Sequence, residues 1–468
     1  MKLKSFSRRN FLRAGAVAGV GVVGLAALAG CGEEEAPATQ ATAAPAATKA
    51  AEPAATAMAE KPKPAQIELE WWHQALIQMD DALKLIVKDY MGLNPHVTLT
   101  LNQFPFADFA AKLLTSLAGG VAPDVNYVHP QFVVQMAANG VIEPLDEYMK
   151  ADAGFARDDF HSGSLEAMSY KGKAYTVPMF HGPWLYIYYK PLLENAGLEL
   201  PWDLHQKGEW TIDAYQNMIE TLSTGEGDER VWGGTEVPAA LKLQYLWIWG
   251  FGGKVWDNRG AFDDPNEFVA NSPEGVAGMQ WAVDHVQQDL VPSRSYSKTF
   301  QGGNQGLFVS GRIGIYQSHR SFTTRIPADT PAGVAPMFKM PNGDDQSRDA
   351  PEGIGMHSAT PDKDAAWDLV SYVGMEGVNH VIAAGVTAPT RKSQMSGEVF
   401  RNSIVAWDNI EVHIAASKQL KEQFFQPVAY GEINKIFQAN YDEAVLGRKT
   451  VQEFLDDVKV EADRLLHE

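Results

Sequence analysis

The chain has 468 residues, enough for two or three domains at roughly 100–200 residues each. Its 58 acidic and 39 basic residues leave a formal net charge of −19. That balance argues against a nucleic-acid binder, which must neutralise phosphates, and against electrostatic attachment to anionic lipid. A single cysteine, Cys31, excludes an intrachain disulfide and a thiolate metal cluster within this sequence.

Residues 1–13 carry Lys2, Lys4, Arg8, Arg9 and Arg13 without an acid, and 14–30 contain only Ala, Gly, Val and Leu. A basic start, a short apolar run and small residues before a cleavage point describe an export signal. Seventeen Gly- and Ala-rich residues make a poor membrane span, which needs about 20 strongly apolar ones. Ser7-Arg8-Arg9-Asn10-Phe11-Leu12 resembles a twin-arginine signal, and Leu28-Ala29-Gly30-Cys31 resembles a bacterial lipobox. The resemblance implies a signal peptide over 1–30 and a lipid anchor on Cys31, holding the protein at the outer face of the cytoplasmic membrane. Residues 31–65 hold 14 Ala and 5 Pro and no aromatic side chain, so they predict a disordered linker of roughly 30–35 Å r.m.s. span.

The folded part follows in chain order. Ile67-Glu68-Leu69-Glu70-Trp71-Trp72 alternates as a strand does, and Met79 to Tyr90 has helical spacing broken at Asn94-Pro95. Val97–Leu101 is a second strand and Phe109–Leu117 a helix. Pro123–Val128 is a third strand, with a helix over Phe132–Asn139. This alternation predicts a mainly parallel sheet with helices on both faces. Strands are expected over Lys171–Phe180, after a turn, and over Leu185–Tyr189. Helices are expected over Thr211–Leu222, with Thr211 as N-cap, over Leu241–Trp249, and from Ser272 to about Asp289. Phe308 to Gln317 passes a Gly-marked turn into a strand. Further helices are expected over Asp364–Val373, Glu432–Leu446 and Thr450–Leu466.

Catalytic signatures fail. Gly19-Val20-Gly21-Val22-Val23-Gly24 fits a dinucleotide pattern but lies inside the signal. Gly172-Lys173 and Gly253-Lys254 lack the Ser or Thr of a phosphate loop. There is no H-E-x-x-H and no G-x-S-x-G, and Ser295-Tyr296-Ser297-Lys298 lacks its S-D-N and K-T-G partners. Asp257-Asn258-Arg259-Gly260 with Asp263-Asp264 lacks the ligand alternation of a calcium loop and reads as a hairpin turn.

The ordered set of segments resembles the carbohydrate-type solute-binding proteins of bacterial ABC importers, the maltose-binding-protein-like group. It is carried by Glu70-Trp71-Trp72-His73, Asn94-Pro95-His96-Val97, Leu117-Ala118-Gly119-Gly120-Val121-Ala122-Pro123-Asp124-Val125 and Gly140–Asp146. It continues through Gly172–Pro178, Tyr188-Tyr189-Lys190, Asn195–Leu198, Trp210-Thr211, Gly252-Gly253, Phe308–Gly314, Ala365–Val370 and Ala388–Arg391. Two departures are Tyr189-Lys190, where the family usually has Asn-Lys, and Gln317-Ser318-His319-Arg320, where maltose-type members often place Gly-Pro-Trp. The resemblance implies an α/β, two-lobe periplasmic-binding-protein-like (type II-like) fold with an interlobe ligand cleft. By analogy the N-terminal lobe comprises 66–181 and 320–376, and the C-terminal lobe 182–319 and 377–468. The crossing segments would fall near Pro178–Trp184, Tyr316–Arg320 and Met375–Val378. The implied partners are a carbohydrate and ABC permease subunits. The protein is expected to be a monomer, without nucleic acid, cofactor, metal or catalytic activity.

A sugar presents hydroxyls at its rim and C–H groups on its faces, so its site needs polar side chains and flat rings. Candidates follow strands or sit at crossings: Trp72, His73 and Gln74 after the first strand; Tyr127, His129 and Gln131 near the third; His181 and Trp184 at the first crossing. Ser318, His319, Arg320 and Phe322 occupy the second crossing. Tyr245 and Trp249, four residues apart, share one helix face. Arg391 and Trp407 are weaker candidates. Trp202, Trp210, Trp247, Trp281 and Trp367 are assigned to packing. The alternatives left open are a binding protein for a non-sugar (a phosphodiester, polyamine or peptide) and a secreted glycoside hydrolase or esterase, whose carboxylates need no local motif.

Overall fold

The computed structural model describes residues 65–468, leaving out 77, 106, 107, 110, 111, 114, 117, 118, 120, 162, 236–239, 258–266, 346–350, 404–406 and 420–426. The expected leader, Cys31 and nearly all of the linker lie outside the described residues, as do part of the expected helix over Phe109–Leu117 and the turn after Asp257.

The strands are β1 (Ile67–Ala75), β2 (Val97–Pro105), β3 (Val125–Val128), β4 (Ser169–Tyr170), β5 (Lys173–Ala174), β6 (Val177–His181) and β7 (Trp184–Tyr189). They continue with β8 (Trp256–Asp257), β9 (Glu267–Phe268), β10 (Ile315–His319), β11 (Ala332–Ala335), β12 (Glu352–Met356) and β13 (Ala388–Pro389). Six of them form one sheet in the order β13-β6-β12-β3-β1-β2, and three form a smaller sheet, β10-β7-β11. β1 runs parallel to β2 and β3, whereas β12 is antiparallel to both β3 and β6, and β13 is antiparallel to β6. The large sheet is therefore mixed, with β1, β2, β3 and β6 pointing one way. β3 and β6 are buried along their whole length, as expected of strands covered on both faces.

Helices follow the sequence closely. Asp80–Leu93 buries Leu83, Ile86 and Tyr90 on one side. Ile212–Leu222 starts where Thr211 accepts from the Ala214 N–H at 3.3 Å, and Val451–Leu466 starts with a reciprocal Thr450–Glu453 capping box. The smaller sheet shows how alternation in β7 builds two cores. Leu185 and Ile187 pack with Phe308, Ile313 and Val334, while Tyr186 and Tyr188 face Trp210, Tyr215 and Phe338 on the other side.

The chain first changes sheet at Gly182-Pro183, between β6 and β7. The next two passages differ from the expected positions. β10 and β11 both pair with β7, because the short helix Arg320–Arg325 turns the chain back onto the free edge of that strand. The second passage therefore lies between Ala335 and Glu352, not near Tyr316–Arg320. Met375–Val378 is not a crossing: a π-helical stretch, Val373–Gly377, joins two helices, and the chain returns to the large sheet as β13. The third passage lies between Pro389 and the helix Ile410–Lys418, whose Val412 and Ala416 pack with Leu185 and Ile187.

Candidate functional site

Because β1, β2, β3 and β6 share a direction, their carboxyl ends lie along one edge of the large sheet. The reversed strands β12 and β13 bring their first residues, Glu352 and Ala388, to that same edge. Ligands of open α/β sheets bind outside such an edge. Here Glu352 Oε2 accepts from the Tyr127 hydroxyl at 2.6 Å and from Gln74 Nε2 at 3.2 Å. Burial and the neighbouring Glu352 carboxylate push the Tyr127 phenol well above its usual range, so it stays a donor. Glu352 carries no local sequence signal. Its partner Tyr127 is 225 residues away.

The remaining edge candidates divide by exposure. His73 is fully buried, 4.8 Å from the Tyr127 ring, and burial lowers its pKa to about 4. The neutral ring donates from Nδ1 to the Gln74 carbonyl at 2.8 Å. Trp72 is only 6% exposed. Its Nε1 donates to Glu70 Oε1 at 2.8 Å, and its ring meets Phe104 edge-on at 4.8 Å, with Lys112 Nζ 3.7 Å from the Phe104 centroid. Trp72 is thus held as packing, and half-buried Phe104, unnoticed in the sequence, is the more open ring at that end. His129 is half-buried just beyond β3, 6.1 Å from Phe132. The Gln131 side chain lies outside the described residues. His181 is buried at the end of β6, 6.4 Å from His161.

At the first passage Trp184 opens β7 opposite His319, the last residue of β10, with the rings 6.1 Å apart and nearly perpendicular. Trp184 and His319 both keep partial exposure. The His319 ring lies directly on Gly182, where a Cβ would come within 1.8 Å of the imidazole, so any other residue there would displace that ring. His319 Nδ1 accepts from the Ser321 N–H at 3.2 Å and lies 2.8 Å from its Oγ, capping the helix Arg320–Arg325. Ser318 is buried beside it, and Phe322 lies under the Arg325 guanidinium at 4.4 Å.

Two candidates turn inward. Arg320 is 0% exposed. Its Nε donates to the Thr387 carbonyl at 3.1 Å, its Nη1 lies 3.4 Å from Asp408 and 2.7 Å from His413 Nε2, and Phe400 covers its face at 5.0 Å. Such a guanidinium is a tie between chain segments and offers no surface to a ligand. Tyr245 is also sealed in the main core, accepting from Trp256 Nε1 at 2.6 Å, and Trp249 packs on it at 5.1 Å. Of that shared helix face Tyr245 is interior, while Trp249 keeps partial exposure at the edge of the core. Arg391 is likewise occupied, donating to Asp159 at 3.0 Å and to the Met375 carbonyl at 2.6 Å. Trp407 is half-buried against the small-sheet core, and Trp210, Trp247 and Trp367 are buried. Among the described residues no group of three His, Cys, Asp or Glu is placed to hold a metal ion, and no helix is long and apolar enough to cross a membrane.

Two sheets exchanging strands, with polar groups gathered at one carboxyl edge beside the first passage, define a two-lobe binding-protein fold. The sequence matches the family Bacterial extracellular solute-binding protein over residues 77–378, and the chain belongs to that family. Among curated relatives, the maltotriose-binding protein of Pyrococcus abyssi is 22% identical over 306 residues, 64% of this chain and 61% of that protein. Among solved structures, an ABC substrate-binding protein from Listeria monocytogenes in complex with cycloalternan superposes with a TM-score of 0.74 at 21% identity. It covers 86% of this chain and 99% of that one. The GacH receptor of Streptomyces glaucescens, solved unliganded and with acarbose, gives 0.71 at 18%, covering 86% and 100%. These likenesses carry the MalE-like two-lobe fold.

Proposed function

We propose that this protein captures a carbohydrate, a mono- or oligosaccharide, in a cleft between its lobes and hands it to the permease of an ABC importer. The observation that carries this reading is the family match together with fold relatives solved with cycloalternan and acarbose bound. The chain's own residues suit the task. Trp184 supplies a ring for stacking against sugar C–H faces, with His319 beside it. Gln74, Glu352 and His129 supply polar groups at the facing sheet edge, and Phe104 a second ring. Only a closed state touches the guest from both lobes, so the ligand itself favours closure. No turnover is part of this role.

The test is calorimetric titration of the purified protein against a glycan panel. A dissociation constant near 1 μM, about −8 kcal/mol, is expected for the preferred sugar. Trp184→Ala should weaken it by about tenfold, the worth of one lost stacking ring. Flat titrations with every saccharide and heat from a phosphorylated, polyamine or peptide ligand would refute the sugar assignment, and release of nitrophenol from chromogenic glycosides would refute the non-catalytic role. Export through the twin-arginine-like leader and anchoring at Cys31 belong to the same proposal. Mass spectrometry of membrane-extracted protein should find a diacylglycerol-modified N-terminal Cys31, and Cys31→Ser should release the protein from the membrane fraction.

A further inference from the structure

A second recess lies on the flank of the smaller sheet's helices and shares no residue with the candidate cleft. It measures about 350 Å³ and opens between the helices Ile212–Leu222 and Pro273–Gln287, closed at one end by Phe251 and Pro341. That volume falls within the range of small-ligand sites, roughly 300–1,000 Å³. Its wall is the partly exposed indole of Trp281, fixed by the His285 ring edge-on at 3.9 Å and by Trp247 at 4.7 Å. His285 is in turn anchored to Gln216 Oε1 at 2.7 Å. The ring therefore has one orientation before any ligand arrives.

Two carboxylates rim the indole, Asp213 and Asp284, and among the described residues neither has a basic side chain within ion-pair distance. Asp213 sits in the first turn of its helix, where an acid complements the helix dipole. Asp284 sits near the end of its helix, where a negative charge opposes the dipole, and it accepts from the neutral amide of Gln280 at 2.7 Å. Asp284 is thus a charge beside an aromatic face to which, among the described residues, the fold supplies no counter-cation.

We propose that this recess is a binding site for a small alkylated ammonium ion, seated on the Trp281 face and neutralised by Asp213 and Asp284. The aromatic face attracts a cation through its quadrupole, and a poorly hydrated alkylated cation is the form that gives up least on entering. A neutral guest, a sugar included, would strip water from two carboxylates without compensating their charge.

The test uses the full chain and calorimetric titration with choline and with its uncharged isostere, 3,3-dimethylbutanol. Choline should bind with a dissociation constant below about 1 mM and the alcohol at least about tenfold more weakly, the share expected of the charge. Asp213→Asn/Asp284→Asn should abolish choline binding with an unchanged melting temperature. Gln288→Glu, which adds a carboxylate at an exposed rim position, should tighten it. Equal binding of choline and the alcohol, choline binding that survives the double variant, or displacement of choline by the sugar that fills the main cleft would each overturn the proposal, as would no choline binding at all. None of these results bears on sugar capture, which the glycan panel reads separately.

Discussion

Arg320 offers the sharpest test of the reassignment made by the structure. Its guanidinium and the Asp408 carboxylate are both essentially without solvent contact, 3.4 Å apart, with His413 Nε2 2.7 Å from each of them. A neutral imidazole nitrogen either accepts from the guanidinium or donates to the carboxylate, so the three groups act as a unit. The cation, the imidazole and the Asn409 N–H together hold the Asp408 carboxyl below its usual range against the opposing effect of burial. Arg320→Met removes the charge while keeping most of the volume, and strands Asp408 in the interior. Breaking a buried pair from one side costs about 3–5 kcal/mol, whereas replacing both charges with apolar groups is often close to neutral. Urea unfolding followed by tryptophan fluorescence should therefore show a loss of about 3–5 kcal/mol for Arg320→Met, largely recovered in Arg320→Met/Asp408→Leu. If Arg320→Met instead loses less than about 1 kcal/mol, the range of an exposed pair, while sugar affinity falls, the residue belongs to the ligand after all and the inward reading is wrong.

Three further outcomes are expected. Burial lowers the pKa of His73 and of His285 from 6.5 to about 4, so both are neutral in the folded protein. The unfolded chain binds their protons first, so stability is full above pH 6.5 and falls as pH drops towards 4, by up to about 3 kcal/mol per histidine. Urea midpoints at pH 7.5 and 4.5 should show the loss, and His73→Gln should reduce it; a midpoint that is flat or rises on acidification contradicts the burial. Gly182→Ala places a methyl group inside the His319 ring and should weaken sugar binding. Adding His319→Ala relieves the clash without restoring the lost imidazole, so a thermal melt should recover while affinity does not. Thr450→Ala removes the hydroxyl that accepts from the Glu453 N–H, leaving only the backbone half of the capping box at the start of Val451–Leu466, and should cost about 1 kcal/mol in a urea titration, with sugar affinity unchanged.

Local pattern was enough to read most elements. Alternation placed β1, the spacing of apolar residues placed Asp80–Leu93 and Val451–Leu466, and Thr211 marked a helix start that its hydrogen bond to Ala214 bears out. The order of those elements also pointed to the solute-binding family, because strand and helix periods depend on neighbours only a few residues away. Which side of an element faces a ligand depends on partners far along the chain, and there the pattern failed. Tyr245 shares a face with Trp249, yet only the arrival of Trp256 beside Tyr245 shows that its own ring is interior. Arg320 looked like a sugar-gripping fork until Asp408 and His413, some ninety residues on, closed around it. Glu352 reaches the edge of the large sheet because β12 runs against β3, a pairing with no trace in the residues around it. The same holds for the second passage between sheets: whether β11 would join β7 or return to the large sheet was a choice among free strand edges, and only the assembled fold makes it.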